Sequence, residues 1–113
     1  METIVKKEKK IRGLKNIYSV DNYIYAYPGL FNDLVTIKYY LPEHALARIE
    51  IRDHNNKIIR TIENNYMPSG EYFTSWDGTD VDGIPLEPGF YSVYYFINRE
   101  AVLRYKILKR SFN

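Results

Sequence analysis

The sequence predicts an all-β chain folded as two packed sheets of about seven antiparallel strands. Three observations carry this. Apolar and polar residues alternate along several segments, and a side-chain period of two marks a strand with one buried face. Turn-forming Asn, Asp, Gly and Pro recur roughly every ten residues, which is the punctuation of a β-sandwich. Aromatics are abundant, with 12 Tyr and 5 Phe, and these residues fit pleated, half-buried surfaces. No segment of useful length repeats apolar residues at helical spacing.

The strands follow in order. Residues 16–28, "NIYSVDNYIYAYP", supply the first. Residues 34–42, "LVTIKYYLP", place Val35, Ile37, Tyr39 and Leu41 on one face and Thr36, Lys38 and Tyr40 on the other. Residues 45–53, "ALARIEIRD", turn Ala45, Ala47, Ile49 and Ile51 inward and Arg48, Glu50 and Arg52 outward. "HNNK" (54–57) reads as a turn because Asn tolerates positive φ. A short strand, "KIIRTIE" (57–63), follows, then a loop, "NNYMPSG" (64–70), and the strand "EYFTSW" (71–76). Residues 89–98, "GFYSVYYFIN", set Tyr91, Val93, Tyr95 and Ile97 on one side. A tight turn at Asn98–Arg99 leads into residues 100–110, with Leu103, Tyr105 and Ile107 on one face.

A chain of 113 residues suggests one domain able to bury a core without staples. There is no Cys, so disulfides, thiol nucleophiles and thiolate metal sites are excluded. No window is apolar for long enough to span a membrane as a helix. The basic N-terminus has no apolar run after it, so no cleavable signal peptide is visible. The initial Met and a last strand close to the C-terminus fit a small protein standing alone.

The formal net charge of +2 hides a division. Residues 1–15 carry six Lys/Arg and two Glu, and the last ten carry four Lys/Arg and no acid. Residues 16–103 carry six basic and twelve acidic residues. The reading is a basic N-terminal arm, 1–15, with Lys6, Lys7, Lys9, Lys10 and Arg12, ahead of a domain spanning 16–113. Such an arm suits an anionic partner. The plainer expectation is solvated charge on a flexible segment, with no nucleic acid as partner.

Residues 75–91, "SWDGTDVDGIPLEPGFY", pose a choice between a metal loop and a strand connection. A calcium loop of the EF-hand type needs oxygen ligands at positions one, three and five, Gly at six and Glu at twelve. Placing Gly83 at six puts Gly78 at one and Gly89 at twelve, and both fail. Asp77, Asp80 and Asp82 could at most form an irregular hard-cation site. The better reading is a rigid acidic connection. Asp and Gly make turns, and Pro85 and Pro88 keep the exit from pairing as a central strand. No cofactor is expected.

Catalysis is not expected either. His44 and His54 are the side chains that titrate near neutral pH, and they sit in turns at opposite ends of one strand. No nucleophile, base and orienter can be assembled around them. Ser69, Ser75 and Ser92 lack an elbow motif, and no phosphate or dinucleotide loop appears. Tyr23, Tyr25 and Tyr27 alternate along the first strand, and Tyr40, Tyr94 and Phe96 point outward. Outward aromatics could stack sugars or meet a partner, or could pair among themselves on a covered face. Trp76 is expected in the core, near Ile37, Ile49, Ile51 and Tyr91. Tyr91 fits the strand-start Tyr that bonds back to the backbone.

Trp76, Asp77, Gly78, Asp80, Gly83, Gly89 and Tyr91 together resemble the signature of the Ig-like domain of the flagellar hook-capping protein, W-D-G-x-D-x-x-G-x-x-x-x-x-G-x-Y. Upstream, "FNDLVTIKYYLPEHALARIEIRDHNNKIIRTI" and "PSGEYFTSWDG" resemble the same family, and the likeness covers about residues 25–110. The turn after Asp53 is His-Asn-Asn where the family carries Gly, and the last hairpin, "INREAV", also lacks Gly. The resemblance implies an Ig-like or fibronectin-III-like sandwich and a non-enzymatic role. It implies a protein partner, including a second copy of the chain, in a bacterial surface, flagellar or filament-like assembly. The location implied is extracellular or at the cell surface, with the cytoplasm left open. The alternative is an accessory module binding a ligand or carbohydrate within a larger secreted protein. With an odd number of strands, the arm and the acidic "DGTDVDG" fall at opposite ends. Head-to-tail stacking would then bring one subunit's arm to the next one's acidic loop, with Thr3 to Val5 adding a strand to a neighbouring edge.

Overall fold

The computed structural model describes residues 6–10, 16–20 and 22–110, and the side chains of 22–110. Its ten strands are β1 (Lys6–Lys10), β2 (Asn16–Val20), β3 (Tyr23–Tyr27), β4 (Leu30–Phe31), β5 (Val35–Leu41), β6 (Ala45–Arg52), β7 (Ile58–Met67), β8 (Gly70–Trp76), β9 (Gly89–Ile97) and β10 (Glu100–Lys109). Among the described residues there is no helix, and so none long and apolar enough to cross a membrane.

Two sheets pack face to face. One has the order β3-β5-β8 and the other β4-β10-β9-β6-β7. This is the immunoglobulin-type division of strands, with β4 added along the last strand. All pairings within the two sheets are antiparallel except that of β4 with β10, where Leu30 and Phe31 lie beside Leu108 and Lys109 in parallel.

Alternation produces the core as expected. β5 buries Val35, Ile37, Tyr39 and Leu41, and β6 buries Ala45, Ala47, Ile49 and Ile51. From β9 come Tyr91, Val93 and Tyr95, and from β10 comes Ile107. Trp76 joins the same cluster at 1% exposure. Tyr39 and Tyr95 meet edge to face at 5.4 Å between the sheets, and the Tyr95 hydroxyl donates to the Tyr40 carbonyl at 2.8 Å.

Three sequence expectations need correction. Residues 16–28 are not one strand: β2 pairs with β1, while β3 pairs with β5 in the sandwich. Asn22, a good turn former, lies between them outside either ladder. The expected loop at 64–70 is shorter, because Asn64, Asn65, Tyr66 and Met67 continue β7 opposite Arg48, Ala47, Leu46 and Ala45. Cross-strand pairing overrides local propensity there. The expected sandwich of about seven strands is borne out with eight, the two-residue β4 being an addition with no periodicity to betray it. Residues 6–10 form a ladder with 16–20 rather than a free tail. Lys6, Lys7, Lys9 and Lys10 are on that strand, with their side chains outside the description, and Thr3 to Val5 and Arg12 lie outside the described residues.

Both turns that lack glycine adopt left-handed backbone all the same. Asn56 takes φ 67°, and Asn98 and Arg99 take φ 51° and 71°. Asn is among the residues that bear this conformation best. Asp53 supports the first turn by accepting from the backbone N–H groups of Asn55 and Lys57 at 2.8 and 2.9 Å.

Candidate functional site

The connection from β8 to β9 is a folded unit tied to the core at several points. The Trp76 indole N–H donates to the Thr79 carbonyl at 2.9 Å, which holds the start of the loop over the ring. Phe31 and Tyr91 flank that ring at 5.6 and 5.5 Å. Asp77 Oδ1 accepts from the Thr79 N–H at 3.2 Å and the Thr79 hydroxyl at 2.5 Å. Asp80 Oδ1 accepts from the N–H groups of Asp82 and Ile84 at 2.9 and 3.0 Å. Gly83 takes φ 80° at the tight turn between them. The loop ends where the Tyr91 hydroxyl donates to the Glu87 carbonyl at 2.6 Å, four residues upstream on the approach to Gly89.

Gly78 stands at φ 79°, and a Cβ there would come within 2.8 Å of Lys109 Cε. Lys109 faces inward at the end of β10 with 1% exposure. The loop therefore closes over a lysine stem; the backbone angle favours glycine, and a Cβ would also have to displace that stem.

One fastening was not foreseen from the sequence. Arg60, on edge strand β7, donates to the Thr79 hydroxyl at 3.0 Å and the Asp80 carbonyl at 3.4 Å. Its guanidinium also lies 3.6 Å from Asp77 Oδ1. The side chain crosses from one sheet to a loop that starts on the other. Only the three-dimensional pairing of β6 with β7 aims it there.

The three aspartates thus divide. Asp77 and Asp80 serve as caps for backbone donors, while Asp82 is exposed at the tip. Among the described residues no group of three or more His, Asp or Glu is placed to hold a metal ion. Millimolar calcium is expected to leave the melting temperature unchanged. A clear rise, reversed by chelator, would reinstate the metal reading, because a ligand of the folded state must stabilise it.

The Thr79 hydroxyl bond, its backbone donor and the nearby Arg60 hold the Asp77 carboxyl below the ordinary carboxylate range. Glu71 is lowered by the Tyr23 hydroxyl bond and by Lys38, and Asp53 by the backbone donors of its turn. Lowered values in the folded state mean that it favours the charged forms. Their stabilisation is present above the unfolded carboxylate pKa of about 4 and is lost as pH falls through the folded values. Thermal melts are expected to be flat from about pH 5 to 8 and to fall below about pH 4. Asp77→Asn should lower stability at pH 7 and make the acid fall shallower. An acid limb unchanged by this substitution would remove Asp77 from the account.

The aromatic faces differ in what they leave open. Outside the three-stranded sheet, Tyr23 stacks on Tyr25 at 5.8 Å and on Tyr40 at 5.6 Å, and Tyr25 leans on Tyr27 at 6.1 Å. Lys38 sits over both Tyr25 and Phe73 and pairs with Glu71 at 3.2 Å. The Tyr23 hydroxyl bonds to Glu71, and burial together with that carboxylate pushes the phenol up to about 12. Ring faces here are spent on one another, so few are available for a sugar.

Outside the five-stranded sheet the rings are capped by cations. Arg48 lies 4.2 Å from the Phe96 ring and Arg52 4.2 Å from the Tyr94 ring. Between the arginines, Glu50 is 2% exposed, although its strand position points it outward. Arg52 forks onto Glu50 Oε1 at 2.9 and 3.0 Å, and Arg48 reaches Oε2 at 3.2 Å. Farther along β9 and β10, Lys106 covers Phe90 at 5.1 Å.

His44 and His54 lie in the turns before and after β6. His44 stacks on Tyr66 at 6.1 Å. The structure does not bring the two histidines together.

An eight-stranded immunoglobulin-type sandwich, with its capped acidic turn closed by Trp76 and Tyr91, defines a structural module. Residues 31–94, more than half of the chain, match the FlgD Ig-like domain, and the chain belongs to that family. The family is a structural and assembly family associated with the flagellar hook. Among solved structures, the fold is similar to that of Pseudomonas fluorescens alkylpurine DNA glycosylase AlkC bound to DNA containing an abasic site analogue. The TM-score is 0.53 at 10% identity, over 81% of this chain and 31% of that one. This likeness is one of fold. The chain spans about a third of that protein's length. No curated protein sequence matches the chain.

Proposed function

We propose that this protein is a non-enzymatic assembly module that joins protein subunits end to end in a bacterial surface, flagellar or filament-like structure. Membership of the FlgD Ig-like family carries this reading. The strand directions support it. β3 enters the sandwich at the Tyr40 and Gly70 end, while the acidic turn and the end of β10 lie at the other. A domain with unlike ends is suited to heterologous, repeating contacts. A second copy of the chain is the partner proposed first, with the basic residues before β3 contributing from the opposite end.

Single rim charge pairs contribute about 0–1 kcal/mol each, so the charges set register and do not hold the assembly alone. Light scattering across a concentration series tests the reading. The full chain should grow in mass with concentration, and a chain lacking residues 1–15 should do so less. A full chain that stays monomeric at about 100 μM, a level at which contacts of ~5 kcal/mol or more would be populated, overturns self-assembly. An equal response from the truncated chain overturns the role of the basic segment.

A further inference from the structure

The outer face of the five-stranded sheet carries a groove of about 510 Å³ beside the 53–57 turn. Its walls include Phe90 and Tyr94 from β9 and Arg104 and Lys106 from β10, with Asp53 and His54 at one end. Phe90 is a large apolar residue left 52% exposed. Among the described residues Arg104 and Lys106 form no ion pair. The one acid in the lining, Asp53, is engaged by its own turn through the N–H groups of Asn55 and Lys57. The groove is therefore cationic and aromatic, with Lys106 resting over Phe90 and, among the described residues, neither cation paired with an acid.

Elsewhere the same chain presents the complementary chemistry. The 80–84 turn exposes Val81 at 79% and Ile84 at 58%, on either side of Asp82. The turn is rigid, because Asp80 caps two of its N–H groups and its backbone closes from Asp80 N to Ile84 O and from Gly83 N to Asp80 O, both at 2.9 Å. A preformed loop loses little entropy on docking.

We infer that the groove of Phe90, Tyr94, Arg104 and Lys106 is an acidic-peptide site, and that its occupant is the 80–84 turn of a second copy of this chain. Val81 and Ile84 pack against the parts of Phe90 and Tyr94 that Lys106 and Arg52 leave uncovered, and Asp82 answers Arg104 and Lys106. Donor turn and acceptor groove are different surfaces of one molecule, so each copy can both give and receive, in a reciprocal pair or in a longer series. The inference rests on the self-assembly reading above and adds a side-on contact to it, because groove and turn both lie toward the acidic end of the sandwich.

Charge reversal with rescue tests it on the full chain. The acceptor variant R104E/K106E and the donor variant D82K alter exposed side chains, and circular dichroism should confirm that each folds. In light scattering, each variant is expected to need about tenfold more protein than the parent to associate. A chain carrying all three changes has both surfaces reversed and should recover parental association. Parental behaviour in either one-sided variant overturns the proposal, as does a triple variant no better than the others. If the parent chain itself stays monomeric, both the contact and self-assembly are overturned. If the parent associates but the variants do not differ from it, only this contact is lost. Should the groove bind an added acidic peptide while the parent stays monomeric, the occupant is another protein and the second-copy assignment is wrong.

Discussion

Trp76→Ala is expected to cost about 3–5 kcal/mol, the usual range for removing a large buried aromatic. Trp76 is 1% exposed and sits between Phe31 and Tyr91. Its removal opens a cavity at the end of the sandwich where β4, β8 and β9 converge. It also leaves the Thr79 carbonyl without the indole donor that fixes the start of the loop. A domain of this size holds about 5–15 kcal/mol in total, so much of its margin would go. Urea or thermal unfolding gives the number. Trp76→Phe separates the two parts, since it fills most of the cavity and omits the N–H, and should lose less. A Trp76→Ala loss under about 1 kcal/mol would be incompatible with a role at the packing centre.

Glu50→Ala is expected to cost about 2–3 kcal/mol. Removing one partner of a buried ion pair ordinarily costs about 3–5 kcal/mol, because the remaining charge stays desolvated. The lower figure applies because Arg48 and Arg52 keep 34% and 18% of their side chains in solvent and can rehydrate. The variant also removes what positions both guanidiniums over Phe96 and Tyr94. Glu50→Gln keeps an acceptor of the same shape and should lose less. Denaturant unfolding of the two variants decides the matter. An Ala variant within about 0.5 kcal/mol of the parent would reduce the cluster to a surface decoration.

Strand identity and core were legible where burial imposes a rhythm. β5 and β6 alternate because each faces the other sheet on one side and solvent on the other, and a one-residue slip would invert every side chain. The loop residues were legible as turn formers for the same local reason. Pairing across the chain was not. Nothing in "NNYM" announces a strand, because Asn64 and Asn65 extend β7 only through the ladder that β6 offers. β4 is two residues long and is defined by its neighbour. Glu50 reads as an outward carboxylate, and the groups that cover it come partly from β9, more than forty residues later. Arg60 reads as one of several exposed cations until the loop it fastens is folded beneath it. Of the candidate surfaces, the acidic turn was visible in sequence, whereas the cationic groove needed β9 and β10 side by side.

The parallel pairing of β4 with β10 bears on how the molecule carries tension. The chain enters at one end through β3 and leaves at the other through β10. A pull on the two ends therefore runs along the strands. Under it, β3 slides lengthwise against β5, and β4 against β10, whose bonds from Leu108 N to Gly29 O and from Arg110 N to Phe31 O would be strained together. Bonds loaded in shear must fail at once, whereas bonds in a peeled hairpin fail one by one. The domain is thus expected to resist stretching along its length better than prying at the β9–β10 turn. Single-molecule pulling through the two attachment geometries would measure the difference, and equal rupture forces would refute it.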